Sequence, residues 1–544
     1  MTINKKTTRM IIALIPFLIA TLILLPRLLS PQFGFFDDAS TLSQSHRFLN
    51  GDFSMSHDKQ AGRFRPVYWL YFTIIFAFAG YQPFWFFLTN LFLLFILLIE
   101  IRRLIQRMGG SDLQILIASL LFIFSMPIVE SFYTLSKGEP LQLIFILAAD
   151  LIATPKREST KHTLWIRNLQ SALFFLLALM VKETTIVMLP VTFLWALYIS
   201  LTKDKELEQY QKRYWFLFGA SALAAMIYFF LRSTFGFPFI TGGTYSNNYM
   251  TDLGALLQKL LRWITQFAFY FHYMIPLILL FIVLILMENS PLKRWHFEVF
   301  KWAIWWAFWI LILVPWEYAE LYYLLPFALG GAILIGVISA PALDAIQQQN
   351  GWVRSLTIAC SALVIALFLL TLPNYRTDAR TQLAFDKLNA EMLSDLVKVT
   401  PDNGTVFINI ETTNEYSEKI EAYLRDHYQK PDIDYNNIDA HLMDEILDQS
   451  QAIVVIPSIE NQPNLTVRAG IEETYQDSWN IEFMEKTEGH RQLIKAYQNT
   501  FRLSNVNLPT LICPLGISAG FCQDPDPLFD FRTLTYGWEI YQIQ

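Results

Sequence analysis

The chain has 544 residues, of which 54% are hydrophobic, 15% aromatic and only 16% charged. Soluble domains carry about 25% charged residues, and the mean hydropathy here is +0.34. A disordered chain, a fibre and an all-soluble enzyme are excluded, and the composition reads as an α-helical polytopic membrane protein. Charge is unevenly placed: residues 1–380 hold 30 Lys+Arg and 21 Asp+Glu, whereas residues 381–544 hold 11 and 26. The chain therefore divides into a membrane core, 1–375, and a soluble acidic C-terminal domain, 376–544. Acidity of that size excludes nucleic acid as its partner.

Lys5, Lys6 and Arg9 precede the first apolar run and hold the N-terminus in the cytoplasm. That run spans rather than being cleaved, because it lacks a small-residue cleavage site. Residues 31–82 form an outer loop with juxtamembrane helices. Within it, 66–80 could be a short span, but crossing would move every later basic loop to the outer side, so it reads as an interfacial or re-entrant helix, with Pro66 in its first turn. Ten further runs follow, roughly 84–101, 112–128, 140–154, 168–181, 184–201, 214–231, 262–288, 299–315, 321–341 and 355–372. Eleven spans place the C-terminal domain outside. The basic clusters agree, since Arg102, Arg103 and Arg107, then Lys156 and Arg157, Lys203 and Lys205, Lys293 and Arg294, and Arg354 all fall in cytoplasmic loops.

Beyond 376 the pattern predicts a helix over 379–397, strands over 405–411 and 452–459, and helices over 415–429 and 439–449. This order suggests a small α/β layer. Cys360 reads as a buried apolar residue. Cys513 and Cys522 would pair only in an oxidising compartment.

Polar residues gather at the outer ends of the spans. They are Asp37 and Asp38 in GFFDDAS, Arg63 and Arg65 in GRFRP, Lys137 and Glu139 in SKGEP, Lys182 and Glu183 in MVKETT, and Glu317, Glu320, Tyr322 and Tyr323 in PWEYAELYYLLP. Paired carboxylates beside lipid are costly unless they do proton or cation chemistry. Guanidinium and ammonium groups suit phosphate. All five clusters fall on the side opposite the basic loops, which fits a lipid with a phosphate head and a polar group attached.

In order and sidedness, the early Asp-Asp, the Arg-Pro before a juxtamembrane helix, the Lys-Glu turn and YYLLP resemble the polytopic GT-C glycosyltransferases. The nearest branch contains the lipid A aminoarabinose transferases and protein O-mannosyltransferases. The resemblance covers about residues 10–372. It implies an inverting transfer of sugar from a polyprenyl-phosphate donor to an extracytoplasmic hydroxyl acceptor (lipid, glycan or protein) at the plasma (inner) membrane. Asp37 or Asp38 is the implied general base, with the first carboxylate favoured. Arg63, Arg65, Lys137 and Lys182 hold the donor phosphate, and Glu139, Glu183, Glu320 and Tyr322 orient them or bind sugar and acceptor. No cofactor is required; a divalent metal ion, if there is one, falls to Asp37 and Asp38, and His46 and His57 in the same loop add no ligand spacing. No WWDYG-like run is present, which argues against en bloc transfer to asparagine. The alternatives are a lipid-linked oligosaccharide polymerase or ligase, which shares the donor, and a transporter of a lipid-linked or anionic substrate, which would instead place charges mid-span.

Overall fold

The structure, a computed structural model, describes residues 5–34, 38–153, 161–202, 205–238, 271–286, 295–316, 321–348, 351–408, 424–430, 434–437, 451–457, 483–502, 505–506, 529–530 and 533–544, with isolated residues within 252–270 and at 446. Helices dominate the chain up to Val399. Among the described residues, seven are long and apolar enough to cross a membrane, or eight if one bent pair counts as a single span. The protein is a multi-pass membrane protein.

The first helix, Lys5–Leu29, shows how sequence spacing sorts its faces. Leu14, Leu18 and Leu22, four apart, are more than half exposed, while Ala20, Leu24 and Arg27 are fully buried. A spacing of three and four separates a lipid-facing stripe from a packed one. The helix Pro83–Arg107 begins on a proline, which costs no hydrogen bond in a first turn. It buries Leu94, Leu97, Leu98, Ile101 and Ile105 in the same core. Trp195, Trp302, Trp305 and Trp309 fill the far side. There Gly330 is required by close packing, since a Cβ would lie 2.4 Å from Trp305 Cδ1.

Two sequence expectations are corrected in form. The run 112–128 is not one straight span: Asp112–Ile123 and Pro127–Tyr133 meet at a 69° bend. Pro127 has no N–H to continue the ladder, so the chain turns there and begins a new helix. Helices Glu139–Ala153 and His296–Leu311 have 15 and 16 residues, close to the runs 140–154 and 299–315 read from the sequence. The helix expected over 379–397 is not separate either. It is the last stretch of one 48-residue helix, Trp352–Val399. Two apolar cores share this helix: the membrane-type core runs to Ala379 and the second begins at Phe385. The helix Pro66–Ala79 has 14 residues and begins on Pro66, as its sequence indicates. Cys360 is buried.

After Val399 the chain forms a mixed sheet. Its strands are β1 (Thr405–Ile408), β2 (Asp434–Asn437), β3 (Ile453–Pro457), β4 (Arg491–Arg502) and β7 (Thr533–Ile543), in the order β2-β1-β3-β7-β4. A small separate ladder pairs β5 (Asn505–Val506) with β6 (Phe529–Asp530). β1 runs parallel to β2 and β3, and β7 runs antiparallel to both β3 and β4. The two strands read from the sequence are β1 and β3; residues 409–411 and 458–459 of the expected runs lie outside the described residues. The long β4–β7 pair, with Tyr497 opposite Trp538, escaped the reading. The helix expected over 415–429 is described only at its end, 424–427. The one expected over 439–449, apart from Ile446, and Cys513 and Cys522 lie outside the described residues.

Candidate functional site

The site is built where the first helix, the start of Asp38–Leu49, the approach to Pro66–Ala79, the turn before Glu139–Ala153, the turn after Lys161–Val181 and the short helix Leu321–Leu324 meet. Asp38 opens its helix, where a carboxylate is favoured by the exposed backbone N–H groups. It is fully buried. The Gly34 N–H donates to its Oδ2 at 2.5 Å, and Ser136 Oγ donates to its Oδ1 at 3.2 Å. Ser136 Oγ also lies 2.8 Å from Thr41 Oγ1. Tyr68 OH donates to the Ser136 carbonyl at 3.0 Å, which pins the turn. Burial drives the Asp38 carboxyl up to about 7, and the neighbouring Asp386 adds to this; the Gly34 N–H, Arg27 and Lys137 pull the other way.

The cations form the adjoining wall. Lys137 sits 4.0 Å from the Tyr322 ring centre, and Lys182 lies 4.9 Å from that ring and 4.2 Å from Tyr323. Tyr322 is therefore shared by two ammonium groups. Its backbone N–H donates to Glu130 Oε2 at 2.8 Å. Lys182 pairs with Glu139, which is 2% exposed, rather than with its sequence neighbour Glu183. Arg63 and Arg65 lie within electrostatic reach of Lys182, and Glu183 within reach of Arg65. One more feature faces Lys182. Glu139 Oε2 and Gln142 Oε1 are buried acceptors without a hydrogen-bond partner among the described residues, which suits them to donors such as hydroxyl groups.

Arg65 is held differently from the lysines. Its Nε and Nη2 donate to both oxygens of Asp58, at 3.2 and 2.5 Å, and Trp69 Nε1 donates to the same carboxylate at 2.6 Å. The guanidinium lies 4.6 Å from the Tyr68 ring centre. Asp58 sits on the short helix Ser56–Ala61, which ends at Gly62 with φ +73°. That left-handed turn brings the chain back so that Arg65 reaches Asp58.

The structure thus gathers Asp38, Arg63, Arg65, Lys137, Glu139, Lys182, Glu183 and Tyr322. Asp37, Glu317 and Glu320 lie outside the described residues, as does the side chain of His57. His46 Nδ1 lies 3.7 Å from Asp426 Oδ2. Asp58, Glu130, Ser136, Arg27 and Asp386 escaped the sequence reading. Only the seven-residue step from Asp58 to Arg65 was visible, and nothing in it marks a bidentate pair. Among the described residues no group of three His, Cys, Asp or Glu side chains is placed to hold a metal ion.

No protein-family model matches the sequence. No curated protein matches it either. Solved structures do. The Archaeoglobus fulgidus oligosaccharyltransferase, tethered with an acceptor peptide containing the NVT sequon, superposes with a TM-score of 0.50 at 10% identity, over 99% of this chain and 89% of that one. ArnT from Cupriavidus metallidurans, bound to undecaprenyl phosphate, gives 0.44 at 9% identity over 83% and 92%. The arabinofuranosyltransferase AftD from Mycobacteria gives 0.43 at 14% identity, over 100% of this chain and 40% of that one. The likeness to the oligosaccharyltransferase shows a shared fold.

Proposed function

We propose that the chain is an inverting glycosyltransferase, which moves a sugar from a polyprenyl-phosphate carrier to a hydroxyl acceptor on the extracytoplasmic side of the plasma membrane. One observation carries this reading: a buried carboxylate stands beside a wall of two arginines and two lysines drawn from separate turns, with Tyr322 shared between the lysines. A cationic wall stabilises charge growing on a leaving phosphate, and the carboxylate supplies the base that an attacking hydroxyl needs. In this reading the eleven apolar runs cross the membrane, and 376–544 faces outward as a domain on its own core.

The acceptor oxygen attacks the anomeric carbon as the bond from that carbon to the phosphate oxygen breaks, which inverts the centre. Lys137, Lys182 and Arg63 take up the negative charge left on the lipid phosphate. Arg65, locked on Asp58, adds a fixed positive potential. Glu139 holds Lys182 in place, and its second oxygen, with Gln142 Oε1, receives sugar hydroxyls. Asp38 is fully buried whereas Ser136 is only partly so, so the acceptor gives its proton to Ser136 Oγ while Ser136 passes its own to Asp38 Oδ1. Asp37, the carboxylate favoured from the sequence, is the alternative base.

This relay makes Ser136→Ala slow. Transfer measured at saturating donor should fall about 10- to 100-fold, at the low end of what acid–base groups contribute. An unchanged rate would route the proton directly to a carboxylate. The cationic wall is tested by binding of undecaprenyl phosphate to the purified protein. Lys137→Met and Lys182→Met should each weaken it at least tenfold, since charge-assisted hydrogen bonds are worth about 1.5–3 kcal/mol. Unaltered binding in both would remove the phosphate from this wall.

A further inference from the structure

Two carboxylates far apart in sequence converge on Gly34. A Cβ there would lie 3.2 Å from Asp38 Oδ2 and 3.6 Å from Asp386 Oδ1. Asp386 comes from the extension of the last long helix, next to the second core, and is 1% exposed. Gln382 Nε2 donates to its Oδ1 at 3.0 Å, and Arg27 Nη2 donates to its Oδ2 at 2.5 Å. Arg27 is fully buried at the end of the first helix, with its guanidinium carbon 4.1 Å from the Phe87 ring centre. Its Nε and Nη1 have no hydrogen-bond partner among the described residues. It also lies within electrostatic reach of Asp38. One buried guanidinium thus faces two carboxylates and is bonded to one. Arg27, Asp386 and Lys137 are among the charged groups that act on Asp38.

A buried guanidinium left without its carboxylate is strongly unfavourable. If Asp386 loses its charge, the nearest remedy for Arg27 is Asp38. A carboxylate captured in an ion pair is a weaker base. We propose that Asp386 is a positioning residue for the transfer: by holding Arg27, it keeps the guanidinium off Asp38 and leaves that carboxylate free to take the proton that Ser136 passes on. This rests on the reading of Asp38 given above. It also makes the helix extension that carries the C-terminal core part of the site.

The test uses the full-length protein and the polyprenyl-phosphate sugar it turns over. Asp386→Asn should lower kcat at least tenfold with the donor KM within twofold. Adding Arg27→Gln should restore most of the lost kcat, because the capturing group is gone. A merely structural pair predicts the opposite, with the double variant no better than the single one, and that result overturns the proposal, as does an unchanged kcat in Asp386→Asn. A second readout needs no turnover. Thermal unfolding midpoints should fall more in Asp38→Asn with Asp386→Asn than the two single shifts sum to, because the second change removes the substitute partner of Arg27. Additive shifts overturn the proposal. Unchanged turnover in Asp38→Asn alone has a separate meaning: it removes the reading of Asp38 as base, while the midpoint cycle still decides whether Arg27 changes partner.

Discussion

Asp38→Asn should lower kcat for sugar transfer by about 10²- to 10⁴-fold, the range that a positioned acid–base group contributes, and leave donor binding nearly intact. The amide keeps the volume, its oxygen can still accept from the Gly34 N–H and its NH2 can donate to Ser136 Oγ, so packing is conserved while basicity is lost. The pH profile checks the same group without mutation. Burial raises this carboxyl to about 7. Only its ionised form accepts a proton, so kcat/KM should rise with pH up to about 7 and level off above it. A profile already flat at pH 5 would mean that an ordinary, exposed carboxylate does this work. Asp37→Asn run alongside separates the two neighbours: full loss there with activity kept in Asp38→Asn assigns the base to Asp37.

Asp58→Asn has the largest expected effect on stability. The side chain is 0% exposed and Arg65 is 13% exposed, and Asp58 accepts from Arg65 twice and from Trp69 once. Removing one partner of a buried pair costs about 3–5 kcal/mol, because the other charge stays buried and unpaired. The midpoint of thermal unfolding in detergent should therefore drop clearly, whereas substitution of the exposed Arg47–Asp52 pair should shift it little. The pH dependence has a definite sign. Burial alone would raise the Asp58 carboxyl, but the charge and hydrogen bonds of Arg65 outweigh it and hold it below the usual 3.8. Its contribution is therefore present above about pH 4 and is lost as pH falls through the lower folded-state value. Acid sensitivity below pH 4 that disappears in Asp58→Asn would confirm the pair.

Much of the architecture was legible in the sequence because lipid imposes a coarse rule. Apolar length and basic clusters locate helices without any tertiary knowledge. The broken helix at Pro127 was harder, since a run of apolar residues does not record where its axis bends. In the C-terminal unit, AIVVIPSI announced β3 because a buried strand is continuously apolar. β4, reading RQLIKAYQNTFR, carries too many polar residues for its alternation to stand out, and its pairing with β7 depends on a partner about 40 residues away. The candidate site was legible in its residue types, since the structure brings Asp38, Arg63, Arg65, Lys137, Glu139, Lys182 and Tyr322 together. What stayed hidden was partnership: Lys182 chooses Glu139 over Glu183, Arg65 is committed to Asp58, and Arg27 and Asp386 meet from the two ends of the helical region. Those choices follow from helix docking, which local spacing does not encode.

The most direct measurement of the central claim is release of radiolabelled sugar from a panel of polyprenyl-phosphate sugars, with the purified full-length protein and a membrane extract as the source of acceptor. The reading predicts turnover of one donor, with the label moved to an extract component, and loss of that turnover in Asp38→Asn. Absence of turnover with every donor, while undecaprenyl phosphate still binds, would contradict it and point to a protein that grips the same lipid phosphate to polymerise or move a larger cargo.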